Sequence, residues 1–264
     1  MRTLEIHSKD GVLLSCLRAG TGSPLVLVHG TGASASRWGP VLPAFENRFD
    51  IYALDRRGRG NSGDSPDYSI ERECNDIASV LSSVGQPASL LGHSYGGICA
   101  LEAALTTPDV RALVLYEPPM PVGHAPVYPA GFIERMESLV ADGKREDVVK
   151  MFALDVLRMP RADFEAARIS PGWPDRLAAA HTLPREMRAL ENYRFDAERF
   201  SELRVPTLLL LGGESPDFFK AGIDLLSRTL PNSHVVILPG QRHAAITTAP
   251  GLFAAKVIAF LASL

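Results

Sequence analysis

Gly92-His93-Ser94-Tyr95-Gly96 places a serine at the centre of a G-x-S-x-G pentapeptide, between an apolar run, Ala88 to Leu91, and a helical stretch from Gly96 to Thr107. A serine on so tight a strand-to-helix turn takes a strained backbone conformation, and small residues two positions on either side let the chains pass. Such a turn lifts Oγ clear of the sheet and aims the first amides of the next helix at the same spot, where they stabilise negative charge. That is equipment for nucleophilic attack on a carbonyl.

The elements that carry this turn are legible as an alternation. Apolar runs at Leu25 to Val28, Asp50 to Leu54, Ala88 to Leu91, Ala112 to Tyr116, Thr207 to Leu211 and His234 to Leu238 predict strands. Helices are expected at Trp38 to Ala44, Ser69 to Val84, Gly96 to Thr107, Asp217 to Leu230 and Pro250 to Leu264. Strand and helix in turn make a mostly parallel sheet covered on both faces. Two alternating segments, Arg2 to His7 and Val12 to Arg18, predict an antiparallel edge hairpin around Asp10-Gly11. Ser69 is a plain helix cap, and Gly85 a C-terminal stop.

Between Pro118 and Pro206 the strands vanish, and helices are expected at Gly131 to Ala141, Arg145 to Leu157, Arg161 to Arg168 and Asp175 to Tyr193. A connection this long is rarely an idle loop. The expected division is a core of residues 1–118 and 206–264 with a helical layer of 119–205 inserted.

With 264 residues, 46% of them hydrophobic and 22% charged, the chain can bury a large core and has ordinary globular composition. A net charge of -3 supplies no field to gather nucleic acid or an anionic membrane, so the expected partner is a small neutral or weakly charged molecule. Arg56-Arg57-Gly58-Arg59, the one dense basic run, is too short to bind a polyanion. Cys16, Cys74 and Cys99 lack metal-site spacing, and neither a disulfide nor a metal is expected. The N-terminus, Met1 to Asp10, is polar and no run of about 18 apolar residues occurs, which predicts a soluble cytoplasmic protein. The oligomeric state is left open.

The elbow Gly92 to Gly97, the earlier His29-Gly30-Thr31-Gly32, Asp55 to Ser62 and the late Gly240-Gln241-Arg242-His243 together resemble the α/β-hydrolase superfamily in order and spacing. The resemblance covers the first and last thirds of the chain and implies an α/β-hydrolase fold: a mostly parallel eight-stranded sheet flanked by helices, with residues 119–205 as a helical cap. With serine at the elbow it resembles the branch with a serine nucleophile; relatives that dehalogenate or open epoxides carry aspartate there. Function within the superfamily varies widely.

Serine needs a base, and in this fold the order along the chain is serine, acid, histidine. His243 is the expected base. His29 and His93 look structural, His7 and His234 lie on edge or strand positions, and His124 and His181 belong to the cap. The oxyanion donors are expected to be the Tyr95 amide and, by resemblance, the Thr31 amide, with Gly30 allowing close approach of backbone to substrate. The acid departs from the family pattern, because the position that commonly holds aspartate falls at Ser215. Glu117, Asp217 and Glu214 remain as candidates. Glu117, at the end of a neighbouring strand, is favoured because a strand end is a rigid mount and adjacent strands lie about 4.8 Å apart, within a glutamate's reach. It resembles members whose acid has moved to that strand. Asp55 to Ser62 reads as a structural turn. Trp38 is a candidate for the pocket floor, and cap residues such as Met120, Met151 and Phe152 for an apolar roof.

The leading expectation is therefore a serine hydrolase, free of cofactor and metal, that cleaves a carboxylic ester or lactone of a mostly apolar small molecule. Other chemistry of the same triad (carbon–carbon or thioester cleavage, acyl transfer, perhydrolysis) and a ligand receptor with little turnover are the alternatives.

Overall fold

The computed structural model describes residues 1–123 and 128–264; His124 lies outside the described residues. Eight strands, β1 (Arg2–His7), β2 (Leu13–Ala19), β3 (Ser23–Val28), β4 (Phe49–Leu54), β5 (Ala88–His93), β6 (Val110–Tyr116), β7 (Thr207–Gly212) and β8 (Ser233–Leu238), form one sheet in the order β1-β2-β4-β3-β5-β6-β7-β8. The β1–β2 and β2–β4 pairs are antiparallel and the others parallel. The β1–β2 hairpin turns at Gly11, whose φ of 87° suits glycine.

Side chains alternate across each central strand, so the sheet carries two cores. Leu25 and Leu27 of β3 face a layer with Trp38, Phe45, Phe253 and Val257, whereas Val26 and Val28 face Ile77, Leu81, Ile98 and the helical layer beyond. The helix Ile70–Val84 starts at Ser69, whose Oγ accepts from the Arg72 amide at 3.2 Å, and stops at Gly85 in the left-handed region.

Three expected helices differ in detail, each for a local reason. The stretch at 38–44 is a 3-10 turn, Ala35–Trp38, then a short helix, Leu42–Phe45. The 145–157 helix becomes a π-turn over Phe152–Val156, closed by the Leu157 amide donating to the Phe152 carbonyl at 3.1 Å. The 175–193 helix is broken into Trp173–Ala179, a 3-10 turn, and Leu183–Asn192, because Pro184 has no N–H to continue the ladder. Among the described residues no helix is long and apolar enough to cross a membrane.

Candidate active site

Ser94 sits directly between β5 and the helix Tyr95–Ala103 with φ 56° and ψ −128°. The turn leaves no room for side chains: a Cβ on Gly96 would overlap the His29 carbonyl, and one on Gly92 would lie 2.6 Å from the Gly97 Cα. Gly30 comes equally close from the other side, where a Cβ would stand 2.8 Å from the Ser94 Cβ. The serine hydroxyl makes no capping bond to its helix, which leaves it available. The amides of Thr31 and Tyr95 donate no hydrogen bond among the described residues, and both residues border the same space as Ser94.

His243 follows β8 and lines one cavity with Ser94, Gly30 and Thr31. Its Nδ1 donates to Glu117 Oε2 at 2.6 Å. The imidazole is stacked on Phe219, with ring centroids 4.2 Å apart and 14° between planes, and lies 4.6 Å from the His93 ring at 37°. The backbone of its loop is also fixed. His93 Nε2 donates to the His243 carbonyl at 3.1 Å, and the Tyr116 hydroxyl donates to the Arg242 carbonyl and accepts from the Ala245 amide. The residue beside the serine thus fastens the loop that holds the histidine.

Glu117 is fully buried and has φ 47°. Its second oxygen, Oε1, accepts from the Gly212 amide and from the Ser215 hydroxyl, each at 2.6 Å. Ser215, at the position that commonly holds aspartate in the family resembled, therefore supplies a hydrogen bond to the Glu117 carboxylate. Asp217 is exposed and pairs with Lys220 Nζ at 3.0 Å, and Glu214 is exposed. Ser94, Glu117 and Arg158 are the non-glycine residues of positive φ among the described residues, and Ser94 and Arg158 both border the His243 cavity. Backbone strain gathers at this place, as it does at functional sites.

The other described histidines have different surroundings. His29 is buried, Nδ1 donating to the Gly30 carbonyl at 2.9 Å and Nε2 accepting from the Arg56 amide at 3.1 Å; burial and the Arg56 charge hold its pKa well below the usual imidazole value. His93 is depressed likewise, by burial and then by His243. His7, His181 and His234 are exposed.

Trp38 is a correction. It is fully buried among Phe45, Phe253 and Val257 on the sheet face away from the serine and borders none of the site cavities. Met120 does line a cavity, of about 860 Å³, with Tyr128, Phe132, Met151 and Phe218. A narrow space bordered by Ser94, Tyr95, Phe152, Met187 and Leu190 shares Pro119, Tyr128 and Phe218 with it. The arginines of residues 56–59 are buried and paired: Arg56 with Glu73 and Glu186, Arg57 with Asp76 and Asp10. Asp55 accepts from the Ala35 and Asn61 amides, holding the turn. No group of three or more metal-ligating side chains gathers among the described residues, and all three cysteines are free and buried.

An eight-stranded sheet of this order, with a strained serine at the head of a central helix and a carboxylate-bound histidine after the last strand, defines an α/β-hydrolase. Residues 25–256 match the alpha/beta hydrolase family, and the chain belongs to it and is a hydrolase. A solved alpha/beta hydrolase from Sphaerobacter thermophilus is 33% identical and superposes with a TM-score of 0.88 over 98% of this chain and all of that one. A solved esterase from a Rhodococcus species is 25% identical, with a TM-score of 0.76 and full coverage of both chains. Among characterised relatives, a pimeloyl-(acyl-carrier protein) methyl ester esterase of Neisseria meningitidis is 28% identical over 235 residues, 87% of this chain and 90% of its own length.

Proposed function

We propose that the protein hydrolyses a carboxylic ester or lactone through an acyl-enzyme on Ser94. The observation that carries this reading is the bond from His243 Nδ1 to Glu117 Oε2, 2.6 Å long, on a histidine that shares its cavity with the serine. Glu117 fixes the tautomer that leaves Nε2 as the base and stabilises the imidazolium that forms. Ser94 Oγ attacks the carbonyl carbon as Nε2 takes its proton. The Thr31 and Tyr95 amides, aided by the positive end of the helix Tyr95–Ala103, hold the oxyanion. The C–O bond of the ester then breaks, and the departing alkoxide takes the proton from Nε2. A water, deprotonated by the same nitrogen, releases the acid and restores Ser94. In a lactone the alcohol stays tethered to the acyl chain.

Residues 119–205 act as a cap over the core, a division supported by Phe152, Leu157 and Met187 lining the spaces beside Ser94. The names of the Neisseria and Rhodococcus proteins support an ester as the bond cleaved. The larger cavity past Met120 accommodates the apolar half of the substrate. Turnover of a panel of p-nitrophenyl esters of increasing acyl length tests the reading: activity that disappears in Ser94→Ala supports it, and activity that survives the substitution overturns it.

A further inference from the structure

Ser94 stands between two unlike spaces. One is the apolar route toward Met120; the other, of about 140 Å³, is bordered by Ser94 and His243 together with Arg37, Arg158, Arg176 and Arg242, against a single aspartate, Asp163. Arg158, Arg242 and Asp163 are exposed to solvent, whereas Arg37 and Arg176 are half-buried. Neither Arg37 nor Arg176 has a carboxylate within salt-bridge distance or a side-chain hydrogen bond among the described residues, unlike the arginines of residues 56–59. The two also repel: burial and then the Arg176 charge pull the Arg37 pKa down to about 10, and burial lowers that of Arg176.

Two like charges held near each other, neither in an ion pair, cost folding energy. Their proximity is built in. Asp175, at the start of the helix Trp173–Ala179, accepts from Ser36 Oγ at 2.8 Å and from Ser34 Oγ at 3.2 Å, and the next residue on each segment is one of the pair: Arg37 after Ser36, Arg176 after Asp175. The Asp175 carboxylate that joins the two segments accepts from the serines and forms no salt bridge with either arginine.

Resting on the ester-hydrolase reading above, we propose that the substrate carries a carboxylate, which Arg37 and Arg176 bind beside Ser94. Planar guanidinium groups suit a carboxylate because each can donate two parallel hydrogen bonds to it. The preferred class is then an ester or lactone with one apolar half and one acidic group, not a neutral ester.

Two matched ester pairs test this, and they separate the half that bears the charge: 4-(butyryloxy)benzoate against its methyl ester, and p-nitrophenyl hydrogen succinate against p-nitrophenyl methyl succinate. The expected result is a kcat/KM about 10 to 100 times higher for the anionic member of at least one pair, the range set by hydrogen bonds to charged groups. Arg37→Gln and Arg176→Gln are expected to bring that ratio toward one, mainly through KM. Equal rates within both pairs, or a loss in the variants that falls equally on anionic and neutral esters, overturns the proposal. If no ester is turned over at all, the hydrolytic reading fails separately. Calorimetric titration of Ser94→Ala with benzoate then decides: binding lost in Arg176→Gln sustains the carboxylate site, and no binding removes it.

Discussion

Glu117 directly follows β6, yet its carboxylate reaches past β7 to serve the loop beyond β8: Oε1 is held by Gly212, the last residue of β7, and by Ser215 just after it, and Oε2 accepts from His243 Nδ1 at 2.6 Å. Three donors fix one buried carboxylate, and through it one imidazole. In the proposed mechanism the acid belongs to this strand and not to the loop after β7.

Glu117→Gln is therefore expected to lower kcat by about 10³ to 10⁴, the scale seen when a triad acid is replaced by its amide. Asp217→Asn is expected to change it little, since Asp217 is exposed and engaged with Lys220. Ser215→Ala, which removes one of three hydrogen bonds to Glu117, is expected to cost about tenfold. Steady-state kinetics on one p-nitrophenyl ester checks all three, and a larger loss in Asp217→Asn than in Glu117→Gln would contradict the assignment.

Gly30 faces the nucleophile, and a methyl group there would stand 2.8 Å from the Ser94 Cβ. Gly30→Ala is expected to reduce kcat/KM at least tenfold with a smaller effect on stability, because the serine must move and a displacement of about 1 Å costs as much as 10²-fold. Parallel kinetics and urea denaturation separate the two effects; unaltered kinetics would show that the serine does not depend on this close approach.

The ion pairs of Arg56 couple the core to the helix Leu183–Asn192. Arg56 Nη2 donates to Glu73 Oε1 at 2.6 Å and to Glu186 Oε1 at 2.5 Å, with both acids buried. Replacing Glu186 by alanine strips a partner from a buried guanidinium, which costs about 3–5 kcal/mol. Urea unfolding of Glu186→Ala is expected to show that loss, and a change below about 1 kcal/mol would indicate that solvent reaches the pair.

Acid should destabilise the fold in two windows. His29 and His93 are held neutral well below the ordinary imidazole value of 6.5; in His93, Nε2 already donates to the His243 carbonyl and Nδ1 has no partner among the described residues. The unfolded chain binds protons that the folded chain refuses, so stability is full above 6.5 and falls as pH drops below it. Glu73 behaves in the opposite chemical sense with the same outcome: burial raises its pKa, but the charges of Arg56 and Arg59 override this and hold it at about 2, so its contribution is present above 4.5 and lost as pH falls toward 2. Urea midpoints at pH 7.5 and 5.5 are expected to fall with acid, less steeply in His93→Gln. A stability independent of pH over that interval would contradict the buried, neutral state of these rings.

What the sequence disclosed depended on range. Ser94 and its two oxyanion candidates occupy short motifs whose glycines are needed locally, so their places were legible, as was the strand alternation. Glu117 became legible only by reasoning about neighbouring strands. Trp38 was not, because an apolar residue beginning a helix looks the same whichever sheet face it packs on, and that face is set by the crossover and not by the local pattern. Arg37 and Arg176 gave no signal at all. They lie in separate segments that Asp175 and two serines bring together, and the net charge of -3 for the chain conceals the local positive field.

The most direct test of the account is the site of covalent attack. After reaction with a fluorophosphonate, peptide mass mapping is expected to place a single adduct on Ser94, with labelling abolished in Ser94→Ala and slowed at least tenfold in His243→Ala. An adduct elsewhere, or labelling of Ser94 at full rate without His243, would contradict the claim that this imidazole activates this hydroxyl.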